Sequence, residues 1–359
     1  MIAKKVSLEN FRNYEKAEVT FSDGVNIIHG KNGAGKTNLI EALYAFSYAR
    51  SFRSPSKEFL RHGEDRAKIE LSFISEGREQ SADMIFTKDN GKRIRVNEID
   101  IKKTSDLLGR FISVLFTPDE LSLVKEGPDK RRKFLDTSIV SLRPNYFSAL
   151  SNYAACIKQK NSILKSSDYR TLDVWNEKIA EYGAVLAHTR EKYIDSLSEK
   201  AKDAQSDISS GKEELEIIYS HRYKIGQNRE ETKGYILEKM EEAKDSEKEN
   251  KMCLIGPHRD DLVFKINSFN ARHFASQGQQ RSIVLSLKTA QMEIIKNEAG
   301  EYPGLLLDDV MSELDSERRD FFTEKTRGKQ VIISCTDLQN LKFGKEANLI
   351  KIEDGKICT

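Results

Sequence analysis

The chain has few of the features that mark secreted, membrane or metal-stapled proteins. Its 359 residues hold four cysteines, Cys156, Cys253, Cys335 and Cys358. None forms a CxxC pair, which leaves free thiols in a reducing compartment as the reading. No apolar run approaches the roughly 18 residues that a bilayer crossing needs. Met1 to Asn10 carries two lysines and no continuous apolar core, so no secretory leader is expected. Charge of one sign is also missing: 59 basic against 57 acidic residues leave a net +2. Any nucleic-acid partner must therefore be held by local patches, because the global field is too weak. There is no internal repeat and no low-complexity linker.

What is present is a soluble globular mixture, 38% hydrophobic and 32% charged, long enough for two compact units or one domain with an insertion. The first third reads as strands with one early helix. Val25 to His29 is a short apolar run that ends at a glycine-rich loop, and Thr37 to Ala49 follows with helical spacing. Lys68 to Phe73, Met84 to Thr87, Arg93 to Val96 and Phe111 to Phe116 read as strands. The middle is helical. Phe147 to Leu164 and Trp175 to Leu197 carry 3.6-residue periodicity around a polar break at Ser166 to Arg170, which predicts two antiparallel helices. The second could reach Ile208, about 38 residues and roughly 57 Å. A strand over Glu216 to Tyr219 and a third helix over Thr232 to Ala243 follow. The last hundred residues return to α/β, with strands at Leu305 to Asp309 and Val331 to Cys335 and an amphipathic helix from Ser282 to about Lys296.

Three short stretches carry chemistry. Gly30-Lys31-Asn32-Gly33-Ala34-Gly35-Lys36-Thr37 fits G-x-x-x-x-G-K-[ST]. Its glycines let backbone N–H groups turn inward around an anion, and the next helix presents its positive end. Lys36 would reach the β- and γ-phosphates of ATP, and the Thr37 hydroxyl would ligate Mg²⁺. Leu305-Leu306-Leu307-Asp308-Asp309 delivers two acids at the carboxyl end of a strand, where ligands of parallel sheets sit. Asp308 suits Mg²⁺ coordination beside Thr37, and Asp309 is placed to orient or deprotonate an attacking water. Ser276-Gln277-Gly278-Gln279 opens a helix 32 residues before Asp308, a second anion site built from a hydroxyl, a glycine N–H and a helix end. A plain helix cap is the alternative for that stretch.

The S-x-G-Q core resembles the signature of ABC ATPases, and Ser312-Glu313-Leu314-Asp315 looks like their D-loop. Interruption of the head by helices is similar to SMC-type ATPases. The closest resemblance is to the RecF family, carried by Leu8 to Tyr14, Phe116 to Glu120, Gly127 to Arg132, Gly256 to Leu262 and the Ser276 stretch, in order from residue 8 to about 340. The resemblance implies an α/β fold: an ABC-type, P-loop NTPase head with a mixed sheet (residues 1–120 plus 252–359, lobe I) and an inserted, mainly helical arm (121–251, lobe II). It implies a bacterial cytoplasmic protein that dimerises on ATP and binds gapped or single-strand/double-strand DNA junctions. With RecO and RecR, such proteins place RecA on coated gaps and support replication restart and the SOS response.

By the same resemblance, Gly30 to Thr37 hold the nucleotide of one copy while Ser276, Gly278, Gln279 and Asp315 approach it from the other. Lys36, Asp308 and Asp309 are then catalytic, with Thr37 and Asp308 on the metal. Asp309 stands where many ABC heads carry Glu, which points to a weak, DNA-stimulated ATPase. Thr336 occupies the place of the transporters' switch histidine, and no Q-loop glutamine is evident. Lys130, Arg131, Arg132 and Lys133 are candidate DNA contacts, with Lys92, Arg93 and Arg95 as a second cluster. Arg12 is placed near the nucleotide, and His258 and Arg259 near the dimer face. Two other readings stay open: a DNA clamp that uses ATP only to dimerise, and the ATPase subunit of a membrane transporter.

Overall fold

The structure, a computed structural model, describes residues 1–89, 91–338 and 347–358. The chain opens with β1 (Ile2–Phe11) and β2 (Tyr14–Thr20), a hairpin closed by Arg12 and Asn13 with Phe11 opposite Tyr14. Arg12 takes the left-handed conformation (φ 56°) that such tight turns demand. Alternation buries Val6, Leu8, Phe11, Tyr14, Ala17 and Val19 on one face. β3 (Val25–His29) leaves for a second sheet, and α1 (Lys36–Tyr48) follows the glycine-rich loop. β4 (Arg66–Ser75), β5 (Arg78–Thr87), β6 (Lys92–Val96) and β7 (Ile99–Asp100) extend the first sheet, in the order β2-β1-β4-β5-β6-β7, antiparallel throughout.

The second sheet takes strands from both ends of the chain: β8 (Ser113–Phe116), β12 (Gly304–Asp308), β13 (Val331–Cys335), β14 (Asn348–Glu353) and β15 (Lys356–Cys358). Its order is β15-β14-β3-β13-β12-β8, parallel from β14 to β8, with β15 antiparallel at one edge. Helix α1 contacts β8, β12 and β13 of this sheet and β4 of the other. It is buried almost all round, as expected for a helix that is apolar on every side.

Between the sheet strands lie α2 (Pro128–Val140), α3 (Pro144–Ser166), α4 (Leu172–Ile208), α5 (Arg229–Glu242) and α6 (Lys244–Asn250). The long second helix of the expected pair is α4, with 37 residues. β9 (Leu215–Ser220) pairs with β10 (Asp261–Ile266), and β10 with β11 (Phe269–Asn270), so this small sheet crosses the expected lobe boundary at residue 251. The single turn α7 (Ala271–Phe274) leads to α8 (Gln277–Ala299), and α9 (Ser316–Lys325) follows β12. Two hydrophobic clusters result. Helix α8 belongs to both: Leu285, Met292 and Ile295 face the head, while Ile283, Val284, Leu287 and Ile294 face the arm.

Helices α2 and α4 and the Gly256–Leu262 stretch meet in a buried ionic lattice. Arg190 of α4, 2% exposed, pairs with Asp136 of α2 at 2.8 Å and donates to the Pro257 carbonyl at 2.7 Å. Asp260, equally buried, accepts from Tyr219 and from Tyr223 at 2.7 Å and lies 3.6 Å from Arg190. Removing one partner of such a lattice strands the remaining charges in low dielectric. Arg190→Met is expected to cost roughly 3–5 kcal/mol, read as a lowered urea midpoint.

Candidate nucleotide-binding site

The parallel register sets the site. Ser334 pairs with Asp308 on one side and Ile28 on the other, so β3, β13 and β12 end at one level. The Thr37 hydroxyl donates to Asp308 Oδ1 at 2.9 Å, and the Ser334 hydroxyl donates to the same oxygen at 2.7 Å. Ser334 Oγ in turn accepts the Asp309 N–H at 3.0 Å. Asp309 holds a left-handed conformation (φ 52°), which a short carboxylate tolerates better than most side chains. Burial pushes its carboxyl above the ordinary range and nearby Asp308 adds to this, while Lys36 partly offsets both. A raised carboxyl is a better proton acceptor.

The phosphate loop is shaped from outside. Asn13 Nδ2 and the Gly355 N–H both donate to the Ala34 carbonyl at 2.9 Å, and the Tyr14 hydroxyl donates to the Gly35 carbonyl at 3.0 Å. Anchoring carbonyls outward leaves the loop's N–H groups to face the concavity. Gly30 is required by space: a Cβ there would sit 2.2 Å from the Ile352 carbonyl oxygen. Gly35, at φ 123°, is required by conformation. Lys36 folds onto the carbonyls of Gly30 and Lys31 at 2.9 and 3.1 Å. Arg12 makes a two-pronged pair with Glu41 of α1, both contacts at 2.8 Å, and Arg53 joins at 2.8 Å. Burial pushes the Glu41 carboxyl up, but hydrogen bonds from Arg53, Arg12 and Ser51 outweigh it and hold the group below its usual range.

Ser276 caps α8. Its hydroxyl accepts the Gln279 N–H at 3.2 Å and its own N–H donates to Gln279 Oε1 at 2.9 Å, a capping box. Gln279 Nε2 also donates to Glu213 at 3.0 Å. A Cβ on Gly278 would meet Arg318 Nη2 at 3.1 Å, and Arg318 pairs with Asp315, the cap of α9. Arg281 pairs with Glu313 at 3.1 Å, so signature and D-loop stretches are cross-linked. Among the described residues, the hydrogen bonds of Ser276 and Gln279 lead to each other and to Glu213, and none to the phosphate loop of the same chain. Thr336 lies exposed just past β13.

The basic candidates divide. Arg131 is a correction: it is buried, clasping Asp261 at 2.7 and 2.9 Å and donating to three carbonyls of residues 123–126, so it has no group left for a phosphate. Arg132 is held by Asp129 and the Asp260 carbonyl, and Lys130 by Glu126 at 2.8 Å. Lys133 is exposed and, among the described residues, makes a 3.4 Å contact to the Phe52 carbonyl. In the second cluster Arg93 pairs with Asp100 and Arg95 with Asp83, while Lys92 donates to the Ala49 carbonyl. Glu41 and Glu213 went unnoticed in the sequence. A lone acid inside the apolar run of α1 was a signal for Glu41, while nothing local marks Glu213.

The mixed sheet, the phosphate loop, the acid strand and the capped helix define an ABC-type ATPase head. The family model for the RecF/RecN/SMC N terminal domain matches residues 2–358. Solved SMC heads share the fold, for example one from Pyrococcus furiosus at 16% identity and TM-score 0.57, covering 99% of this chain and 96% of that one. The chain belongs to the RecF family. It is 38% identical to the DNA replication and repair protein RecF of Acetivibrio thermocellus, covering 99% of each, and 39% identical to that of Desulfitobacterium hafniense over the same shares. The recombination mediator protein RecF of the RecFOR pathway, solved as RecF-ATPrS, superposes at TM-score 0.93 with 34% identity over 99% of this chain and 97% of that one.

His258, expected near the dimer face, is tied into the arm. Its Nδ1 accepts from the Tyr153 hydroxyl at 2.7 Å while Nε2 donates to the Cys253 carbonyl at 3.1 Å, an arrangement that suits the neutral ring. Arg259 donates to the same carbonyl. Burial chiefly, with Arg259, Arg132 and Lys160 adding to it, lowers the His258 pKa to about 4. The unfolded chain therefore takes up this proton first as pH falls. Stability is expected to drop between about pH 6.5 and 4 through this group, and His258→Gln to flatten that part of the pH profile of the thermal midpoint.

Proposed function

We propose that the chain binds Mg²⁺ and ATP on the Gly30–Thr37 loop, dimerises around the nucleotide, and acts in DNA repair at gapped or single-strand/double-strand junctions. The observation that carries this is the hydrogen bond between Thr37 and Asp308, 271 positions apart, beside a lysine folded onto its own loop. The donor set fits a hard cation: a hydroxyl and a carboxylate oxygen, leaving room for phosphate oxygens and water. It also fits a triphosphate, since Lys36 needs only to swing from two neutral carbonyls to an anion. Thr37 and Asp308 would hold the metal, and Lys36 with Gly30 to Thr37 the phosphates. Bound Mg²⁺ would screen the triphosphate charge during phosphoryl transfer. Asp309 positions a water and accepts its proton. Its side chain is one methylene shorter than Glu and its backbone is fixed by Ser334, which supports a slow, weak, DNA-stimulated ATPase.

Ser276, Gly278 and Gln279 offer a hydroxyl, an N–H and the positive end of α8 to an anion that the same chain does not supply. A second copy would supply it, in a two-fold arrangement that buries two nucleotides with Asp315 at the seam. Thr336 would sit near the γ-phosphate at the end of β13. Ligand held between two copies favours the dimer by mass action, and hydrolysis ends that bias. The head (residues 1–120 plus 252–359) and the arm (121–251) would turn relative to each other about α8. Lys133, with Lys130 and Arg132, would meet DNA phosphates. Membership of a family of replication and repair proteins supports cooperation with RecO and RecR, and through them with RecA, in the cytoplasm. Among the described residues no helix is long and apolar enough to cross a membrane, and no feature favours the transporter reading.

Sedimentation with and without ATP and gapped duplex tests the whole scheme: a dimer only with ATP, retained on DNA, is expected. Ser276→Arg should leave nucleotide affinity of the monomer within about twofold and abolish the ATP-dependent dimer, because it fills the anion site of α8 with a bulky side chain. An intact dimer by light scattering counts against a signature acting across two copies. Asp309→Asn should slow turnover by about 10²-fold or more and lengthen the lifetime of the dimer in stopped-flow dissociation. A lifetime equal to wild type assigns the water to another group.

A further inference from the structure

A cavity of about 370 Å³ lies beyond the phosphate loop, where the head meets the arm. Asp308 and residues of α2 are among its lining. Its walls are largely apolar, formed by Tyr44, Tyr48, Phe52, Phe134, Leu115 and Leu123. Tyr44 stands 4.5 Å from Tyr48, tilted by 31°, and 5.4 Å from Phe52, edge-on at 78°, so three rings cluster in the lining. Polar groups interrupt that lining, among them the carboxylates of Asp119, Glu120 and Asp308 and the amide of Gln291. Gln291 of α8, 3% exposed, lines the cavity, and its Oε1 has no hydrogen-bond partner among the described residues. Native proteins rarely leave such an oxygen unpaired, and a ligand donor is one of the few remedies. Lys133, an exposed cation, also lines the cavity, and among the described residues its hydrogen bond is the long one to the Phe52 carbonyl. The remaining cations of the lining are committed: Lys288 to Glu120, Lys130 to Glu126 and Arg53 to Glu41.

A cluster of aromatic rings, an unpaired acceptor and a cation in one lining ask for a planar ring with an N–H and an anionic group. The volume is at the small end of ligand cavities, enough for one such unit and too little for a run of them. We propose that this cavity takes a single nucleoside monophosphate unit, its base against the rings with an N–H donated to Gln291 and its phosphate on Lys133. Every base carries an N–H on an edge, so the site tolerates any of the four. Stacking supplies most of the hold, as on other single-strand platforms. The unit can arrive free or as the terminal nucleotide of a DNA strand. The strand source rests on the DNA reading above, whereas the free source does not.

The test uses the full-length protein and two fluorescent probes, the free nucleotide on the Lys36→Ala variant, which disables the phosphate loop, and the duplex on protein with Lys36 intact and ATP present. One is 2-aminopurine deoxyriboside 5′-monophosphate. The other is a gapped duplex with 2-aminopurine at the strand end and a distant dye whose anisotropy reports DNA binding independently. Quenching of 2-aminopurine on mixing is expected, weakened about fivefold by Gln291→Leu through the lost hydrogen bond and about tenfold by Lys133→Glu through charge reversal. Unchanged thermal midpoints show that each variant is folded, and Gln291→Met serves if the leucine variant is not. Quenching of the free nucleotide alone, or of the duplex end alone, names the source and upholds the site. Anisotropy change without quenching of either probe overturns the cavity as a base site and leaves DNA binding standing. Quenching of the free probe without any anisotropy change does the reverse. Quenching that survives both Gln291→Leu and Lys133→Glu unaltered overturns the proposal outright, leaving a cavity that holds only water.

Discussion

The fold turns on one carboxylate oxygen. Asp308 Oδ1 accepts from Thr37 and from Ser334, hydroxyls carried by two different neighbours of its strand. Both donors are neutral hydroxyls rather than cations, and the carboxylate they meet is nearly buried. That geometry exists only because β3, β13 and β12 run parallel in one register. A one-residue slip of β12 would turn Asp308 to the opposite face and bring Leu307 into its place. The buried run Leu305 to Leu307 and its counterpart Val331 to Ile333 fix that register through packing on both faces. The geometry of the candidate site thus follows from how a hydrophobic sheet avoids slipping.

The second constraint is the double allegiance of α8. A helix that serves two cores cannot shift against one without disturbing the other. Its first turn carries the Ser276 cap, and that turn is braced from the arm side by Gln279, Glu213 and Gln205, with Gln205 accepting in turn from Ser286 of α8 itself. Arg318 braces it from the other side through Ser282 and Asp315. A force on the arm therefore reaches the signature stretch through satisfied hydrogen bonds, without a separate linker. The cavity beside Gln291 lies along the same helix, four turns from that cap.

Elements marked by local periodicity or local chemistry were readable from residues alone. The bounds of β3 and β13, the turn at Ser166 to Arg170 and the reach of α4 to Ile208 all follow from spacing and turn chemistry. The phosphate loop and the acid strand were legible because their function forces residue types at fixed offsets. The elements passed over are those whose identity depends on distant partners. α2 begins in a polar stretch, Pro128 to Lys133, and becomes a helix that packs through Phe134, Leu135 and Ile139 against the arm. β10 reads as a short mixed run and is a strand because β9 lies beside it. Glu213 becomes significant only once Gln279 arrives beside it from 66 positions away. Long-range hydrogen bonds leave no local trace.

Charge shows the same limit most sharply. In sequence, Lys130 to Lys133 is a solid basic block, yet its members have divergent fates because a helix points successive side chains about 100° apart. Arg131 turns inward, where Asp261 makes it a structural rivet, and Lys133 turns outward. The inward arginine fastens α2 to β10, and that attachment holds the outward lysine in the lining of the cavity. Likewise Arg93 and Arg95, two apart on β6, share a face and are both neutralised by carboxylates of the neighbouring strands. With a net charge of only +2, long-range attraction for a polyanion is weak. The proposed affinity for DNA would then rest on a few well-placed cations and on contacts other than charge. That is the condition under which an aromatic cavity beside an exposed lysine matters more than the count of basic residues.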